Sequence, residues 1–364
     1  MEYKCKVCGG ELRFEPELGK LRCPFCGTEY EMDEYADHAN LHDHDHDADQ
    51  GRKAKDAGFA QATDDSTDIQ EDLVVFSCPH CGAELVTDKD TIASKCVFCQ
   101  TPMVIDQQAS GKFKPQMVIP FEVDKKQIED LYEQYIQTKP FYPPEYSKAN
   151  VIEKIKGIYL PFWMFDLNLS GFIQAQGERT MTHTIGDWIV TDHFVYQIDR
   201  KGKQAFDRIP VIASSKTPKD AMDALEPFDY SKMVQYNPGY LPGFLAQRYD
   251  LDERKTFEVS NERAQVTYQQ SMTDTMAGYE MLQITNAQIK PVLQGANYTL
   301  CPVYLLFMDY DHDEDKLIAI NGQTGKIVGN IPIDKKKRNR YFITRTLLAC
   351  VVIEALIFAG FMLL

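Results

Sequence analysis

Eight of the ten cysteines fall in four Cys-x-x-Cys pairs, and the pairs form two matched sets. Cys5, Cys8, Cys23 and Cys26 make the first set; Cys78, Cys81, Cys96 and Cys99 make the second. Each reads Cys-x₂-Cys-x₁₄-Cys-x₂-Cys. The two-residue spacer lets two thiolates on one tight turn reach a single metal at about 2.3 Å. Gly9, Gly27 and Gly82 follow the knuckles, where a backbone turning around a metal needs permissive dihedrals. Four thiolates close a tetrahedral shell, so each set predicts one structural Zn²⁺, two per chain, with no open position for water or substrate. Redox dithiols and iron–sulfur ligation are the competing readings, but redox pairs usually come singly beside a βαβ pattern. The offset between the sets is constant, and the residues around them repeat as well. Cys5-Lys6-Val7-Cys8-Gly9-Gly10-Glu11-Leu12 matches Cys78-Pro79-His80-Cys81-Gly82-Ala83-Glu84-Leu85. The expectation is two small β-rich zinc ribbons, over residues 1–32 and 73–106.

Residues 33–72 between them form an acidic linker containing His42-Asp43-His44-Asp45-His46-Asp47. With few large apolar residues it cannot bury enough surface to offset the entropy of ordering, so it reads as a disordered spacer. Metal binding by the His/Asp run is the alternative. His80, inside a knuckle, reads as a surface or supporting residue because four thiolates already complete the shell. No apolar run follows Met1, which argues against a secretory signal and for metal-ligating rather than disulfide-bonded cysteines.

At 364 residues and 44% hydrophobic, the chain has room for a further sizeable core. Residues 107–333 read as one α+β domain. Asp124 to Thr138 predicts a helix with Ile128, Leu131, Tyr132, Tyr135 and Ile136 on one face. A second helix is expected over Ser214 to Leu225, capped near Thr217 with Pro218 at its first position. Strand-like runs are Tyr159–Leu169, Trp188–Ile198, Thr256–Tyr268, Leu300–Tyr310, Leu317–Ile320 and Lys326–Val328. The last two flank the turn Asn321-Gly322-Gln323-Thr324-Gly325. Tyr159-Leu160-Pro161-Phe162-Trp163 and Leu300-Cys301-Pro302-Val303-Tyr304 look alike, as two related β-rich halves would.

Residues 334–346 are basic, with Lys335-Lys336-Lys337-Arg338-Asn339-Arg340 at their start. Residues 347–364 are apolar apart from Glu354 and span roughly 27 Å as a helix, which predicts a single C-terminal transmembrane helix. Basic residues stay on the cytoplasmic side and attract anionic lipid. The expectation is a single-pass cell-membrane protein with most of the chain in the cytoplasm. Glu354 near the middle of the run is costly in lipid, which favours a partner for its carboxyl.

No catalytic constellation stands out, and the chain reads as a non-enzyme. Gly322-Gln323-Thr324-Gly325-Lys326 lacks the glycine spacing and following Ser or Thr of a phosphate loop. His183, His193 and Cys301 could compose a Cys–His pair, but Cys301 sits in an apolar run where a buried inert thiol is commoner. Leu160 to Phe165 reads as core. The net charge of −15 argues against nucleic acid. Met1 to Met32 holds five basic and six acidic side chains, and Leu73 to Asp106 two and four. Neither has the basic surplus that phosphate contacts need.

A motif order completes the reading: paired ribbons, then Ile152 to Trp163, Leu225-Glu226-Pro227-Phe228-Asp229-Tyr230, Tyr240-Leu241-Pro242-Gly243-Phe244, and Asn321 to Lys326. In this order the chain resembles the bacterial membrane-anchored zinc-ribbon proteins of the TFIIB-type-ribbon group. These include the zinc-ribbon membrane proteins of Bacillus envelope-stress loci that accompany phage-shock-protein-A-like and SPFH-domain proteins. The resemblance implies a membrane adaptor or scaffold that recruits protein partners, with the eight cysteines as its functional residues. A nucleic-acid-binding ribbon protein, associated with transcription or replication, is the alternative.

Overall fold

Three sheets of very unequal size organise the chain. The computed structural model describes residues 3–32, 34, 73–77, 84–88, 90–95, 102–105, 113–308 and 316–362. Strands β1 (Arg13–Glu15), β2 (Lys20–Arg22) and β3 (Glu29–Tyr30) pair antiparallel in a small sheet that carries the first cysteine set. Strands β4 (Leu73–Ser77) and β5 (Glu84–Asp88) form an antiparallel hairpin.

The rest of the chain builds around one ten-stranded mixed sheet. Its members, with the helices between them, run as follows in the chain: β6 (Thr91–Lys95), β7 (Pro102–Val104), β8 (Met117–Val118), α1 (Lys125–Gln137), α2 (Lys148–Val151), β9 (Lys156–Ile185), β10 (Trp188–Ile212), α3 (Lys219–Leu225), β11 (Val234–Gln235), β12 (Leu245–Gln247), α4 (Glu253–Asp274), β13 (Met281–Met308), β14 (Lys316–Asn321) and β15 (Ile327–Gly329). The order across the sheet is β11-β8-β13-β9-β12-β6-β7, with β10 also on β9 and the β14–β15 hairpin on β13. A last helix, α5 (Lys335–Met362), follows.

The expectation of two separate ribbons is corrected here. The β6–β7 hairpin of the second cysteine unit is not part of a free-standing module. It joins the large sheet through β12, with Ala246 opposite Ala93. Only the β4–β5 half stays outside. Cys78, Cys81, Cys96 and Cys99, His80, and the His/Asp linker apart from Glu34 lie outside the described residues.

The transmembrane helix expected over residues 347–364 is corrected as well. Among the described residues, no helix is long and apolar enough to cross a membrane. The apolar run is the second part of a helix that starts at Lys335 and is charged through Arg345. Leu347 to the last described helical residue, Met362, is sixteen positions, about 24 Å at 1.5 Å each against a hydrocarbon core of about 30 Å. Glu354 further interrupts it.

The centre of the large sheet is where the expected core lies. Leu160 to Phe165 is buried throughout because both faces of β9 are covered there. On one face Leu160, Phe162 and Met164 pack with Cys301, Met222 and Phe228; on the other Tyr159 and Phe165 pack with Leu300 and Tyr304. The two look-alike runs turn out to lie antiparallel against each other, Pro161 opposite Leu300 and Tyr159 opposite Pro302. Proline cannot donate to a ladder, and each of these falls at a gap between neighbours. Pro161 lies where β10 leaves β9 at Phe162 and β12 has not yet begun at Tyr159. Pro302 lies between the β8 pairing at Leu300 and the β14 pairing at Val303.

Helix α1 matches its prediction, with Asp124 and Gln127 forming a reciprocal capping box and Ile128, Tyr132 and Ile136 buried. The expected strand over Thr256–Tyr268 is instead the middle of α4, capped by Asp252. Its buried face is Thr256, Ser260, Ala264 and Tyr268, a four-residue spacing of mostly small side chains. No apolar stripe advertises that face, yet small residues let the helix approach the sheet closely. Strands β9, β10 and β13 are all much longer than their apolar segments. Their outer parts form a three-stranded arm in the order β13-β9-β10.

Candidate metal centre

Two backbone loops of identical design hold the first four cysteines. In one, Gly9 N–H donates to Cys5 O and Cys5 N–H to Gly10 O. In the other, Gly27 N–H donates to Cys23 O and Cys23 N–H to Thr28 O. Each turn closes through a left-handed glycine, φ +70° at Gly9 and +75° at Gly27, which is the freedom the sequence assigned to those positions. The bridge Lys4↔Glu11 flanks the first loop and the pair Arg22↔Glu29 the second.

These loops aim the four sulfurs at one point. Cys5 Sγ lies 3.5 Å from Cys26 Sγ, and Cys8 Sγ 3.5 Å from Cys23 Sγ. All four lie within 4.8 Å of one another. A tetrahedron with Zn–S bonds of about 2.3 Å has sulfur–sulfur edges of roughly 3.8 Å, so the cluster fits one Zn²⁺ with no rearrangement of the backbone. Gly10 leaves room for it: a Cβ there would lie 3.3 Å from the sulfurs of Cys8 and Cys23 and 2.6 Å from the Phe25 ring.

The surroundings favour thiolates unequally. Burial pushes the Cys5 thiol up, but hydrogen bonds from the Tyr30 hydroxyl and from the amides of Cys8 and Val7 outweigh it and bring it below the usual range. Tyr30 accepts from Lys6 N–H at 3.0 Å and sits 3.1 Å from Cys5 Sγ, which orients its proton onto the sulfur. The Thr28 hydroxyl, 3.1 Å from Cys26 Sγ, and the Thr28 amide lower Cys26. At Cys8 the Gly10 amide lowers the thiol, yet the neighbouring sulfurs of Cys26 and Cys23 win and push it up. Four sulfurs this close resist carrying four negative charges unless a cation sits among them, which is the electrostatic signature of a metal site. Sequence reasoning found the four ligands and missed Tyr30 and Thr28, whose role depends on β3 folding back onto the knuckles.

The small sheet is seated on the large one. Phe14 N–H donates to Pro242 O at 3.0 Å, its ring meets Tyr240 edge-on at 5.1 Å, and Met32 packs on Gly239. Beneath this contact Phe244 stacks on Phe121 at 4.0 Å, and Phe121 fills the space against Gly322, where a Cβ would come within 2.4 Å of its ring. The turn Asn321–Lys326 in turn grips the segment after α3. Asn321 donates to Leu225 O, Gln323 exchanges hydrogen bonds with the backbone of Asp229, and Lys326 Nζ donates to Glu226 O. The motifs read separately along the sequence therefore meet in one interlocked support under the metal-bearing sheet.

The remaining candidates go elsewhere. Cys301 is fully buried, and burial raises its thiol well above the usual value. His183 and His193 stand far along the arm, paired with Asp192 and Glu178 respectively. They do not meet Cys301.

No family model matches the chain, and no solved structure matches it. The chain is a homologue of a Bacillus subtilis (strain 168) protein described as "Uncharacterized protein YdjG". The two are 29% identical over 345 residues, covering 94% of this chain and 93% of that one.

Proposed function

We propose that the chain is a two-zinc adaptor that gathers protein partners at an anionic membrane surface. The observation that carries this reading is the combination of a closed four-sulfur centre with apolar side chains displayed on its rim. Val7 and Phe25, the residues inside the two knuckles, are 72% and 74% exposed. A closed shell offers substrate no coordination site, so the metal serves to present a rigid surface rather than to catalyse. Apolar residues held out on a rigid, metal-fixed loop suit protein recognition.

The second Zn²⁺ belongs at Cys78, Cys81, Cys96 and Cys99. Beyond their spacing, the described strands on either side support it. Lys4↔Glu11 and Arg22↔Glu29 flank the first two knuckles; Ser77↔Glu84 and Lys95↔Pro102 occupy the positions 73 residues later, in the same pairing.

Contact with lipid is the role proposed for α5. Its basic first turns draw anionic headgroups, while Leu347, Leu348, Val351, Val352 and Ile353 are exposed along its later turns. Tyr341 and Phe342 at the junction pack on Phe141 of the body.

A photo-crosslinking residue at Phe25, compared with one at exposed Leu18, tests the adaptor reading in living cells. Crosslinks to a defined protein from Phe25 that vanish with Val7→Asp, while zinc content holds, support it. Crosslinks to RNA or DNA, with binding that collapses steeply with salt, would replace it with the nucleic-acid reading. Flotation with vesicles with and without anionic lipid tests the membrane role, and equal recovery of full-length chain and of a variant with Lys335–Lys337 changed to Ser would refute it.

A further inference from the structure

The arm ends in a sheet edge that is built to pair with itself. Strand β10 is bonded to β9 on one side, and among the described residues no strand takes its other side. From Trp188 to Phe206 its register against β9 runs without a shift, nineteen positions and roughly 60 Å of straight edge. The opposite edge of the arm, along β13, is treated differently. There Pro291 removes a donor, and register shifts at Ile284/Asn286 and Leu293/Gly295 break the line. Proline and bulges are how folds blunt an edge, so only one of the arm's two edges has been left straight.

The uncovered edge also carries an unfinished apolar face. Ala175/Ile198, Gly177/Tyr196, Arg179/Phe194, Met181/Asp192, His183/Val190 and Ile185/Trp188 share one face of the hairpin, so Asp192 stands among its apolar members. Near the body α4 and the chain after it cover this face, with Tyr268 and Met272 over Gly202 and Tyr279 over Gly177. The cover ends at Tyr196, 42% exposed with its ring 5.7 Å from that of Tyr279, and farther out Phe194 and Trp188 are 44% and 77% exposed.

We propose that two copies of this chain join edge to edge through β10, antiparallel, about a twofold axis at Tyr196. In that register Asp192 of each copy faces Arg200 of the other, His193 faces Asp199, and Phe194 faces Ile198. Directly opposed residues on one face of an antiparallel pair bring their Cβ atoms to about 4.5–5.5 Å, close enough for these charges to bond. The charge order along β10 makes the match. Asp192 lies on the tip side of Tyr196 and Arg200 the same four positions away on the body side, so a half-turn superimposes acid on base twice. The pairing preserves faces, and α4 of each copy comes alongside Val190 and Phe194 of the other, over the part that its own helix does not reach. A twofold edge pairing uses up both edges, which limits the assembly to two copies.

Engineered crosslinking in full-length, zinc-loaded protein decides this, with exposed Cys350 replaced by serine to remove its thiol. Tyr196→Cys lies on the axis and should form an intermolecular disulfide on mild oxidation. Val190→Cys lies about 40 Å from its symmetry mate by strand rise and should not. By light scattering, Asp192→Arg and Arg200→Asp should each halve the particle mass, and the double exchange should restore it. Equal disulfide yields at positions 196 and 190, single variants that stay dimeric, or a double exchange that fails to recover would each overturn the proposal.

Discussion

The two cysteine units share one spacing and one register around their knuckles, yet the fold uses them differently. In the first, among the described residues β1, β2 and β3 pair only with one another, and the sheet meets the body through side-chain packing, including Phe14, Met32 and Arg13, and a backbone hydrogen bond from Phe14. In the second, β6 and β7 are strands of the large sheet. A ribbon whose strands pair only among themselves can loosen without breaking a ladder of the large sheet. One that contributes strands to a core cannot. The duplicated motif thus sits once beside the large sheet and once with two of its strands inside it.

Removing a ligand from each unit is the strongest test of that contrast. Cys23→Ser should cost one Zn²⁺ and unfold the small sheet, since metal binding worth on the order of 10 kcal/mol is folding energy in such modules. The body should keep its melting temperature. On the proposed second site, Cys96→Ser should also cost one Zn²⁺ but lower the body's melting as well, because β6 is a strand of the large sheet. Metal analysis with calorimetry reads both, and a Cys96→Ser protein whose body melts normally would break the comparison.

Next in size is the seat of the first unit. Phe14 is buried, and losing a ring at such a contact costs roughly 3–5 kcal/mol. Phe14→Ala should keep its Zn²⁺, since no sulfur depends on that ring, while hydrogen exchange at β1 and at Leu241–Phe244 rises together. Below it comes Gly322→Ala, in the support itself. The new methyl would lie 2.4 Å from Phe121, an overpacking of about 1–3 kcal/mol that should lower the body's stability and leave the metal content unchanged.

What could be read from the sequence divides along the same line. Ligands and glycines of the knuckles are set by local spacing, so Cys5, Cys8, Cys23, Cys26, Gly9 and Gly27 were legible. So was α1, whose capping and apolar face are both local. The fusion of β6 to the large sheet was not, because it depends on Leu245–Gln247, some 150 residues later, supplying the partner strand. Helix α4 hid behind a face of Thr, Ser and Ala; of the arm, Trp188–Ile198 was legible as a strand, while the polar outer parts of β9 and β13 were not. At the C-terminus, a count of apolar residues looked sufficient to span a bilayer, but the helix in which they sit begins twelve residues earlier with charged turns. The grip of Asn321–Lys326 on the segment after α3 shows the converse: motifs with no evident chemistry of their own proved to be structural partners.

The smallest expected effect lies at Glu15, on the seam between the first unit and the body. Burial raises its carboxyl above the usual range, and Asp124 of the body and Glu17 add to the rise while Arg22 opposes it. The folded state therefore holds this proton to higher pH than the unfolded state does. Its contribution is most favourable below the ordinary carboxyl range and is lost as pH rises through the raised value. The metal works in the opposite direction, since acid protonates the thiolates and releases Zn²⁺. In the parent protein the metal's effect dominates, and the first unit loosens on acidification. Glu15→Gln leaves that effect in place and removes the carboxyl. The difference between variant and parent, followed by hydrogen exchange at β1, should then show the variant's seat gaining relative to the parent as pH rises past the carboxyl range. A difference that is flat with pH would mean that neither burial nor Asp124 raises the Glu15 carboxyl at the seam. The small sheet would then be held by Phe14 and its backbone bond without an electrostatic opposition.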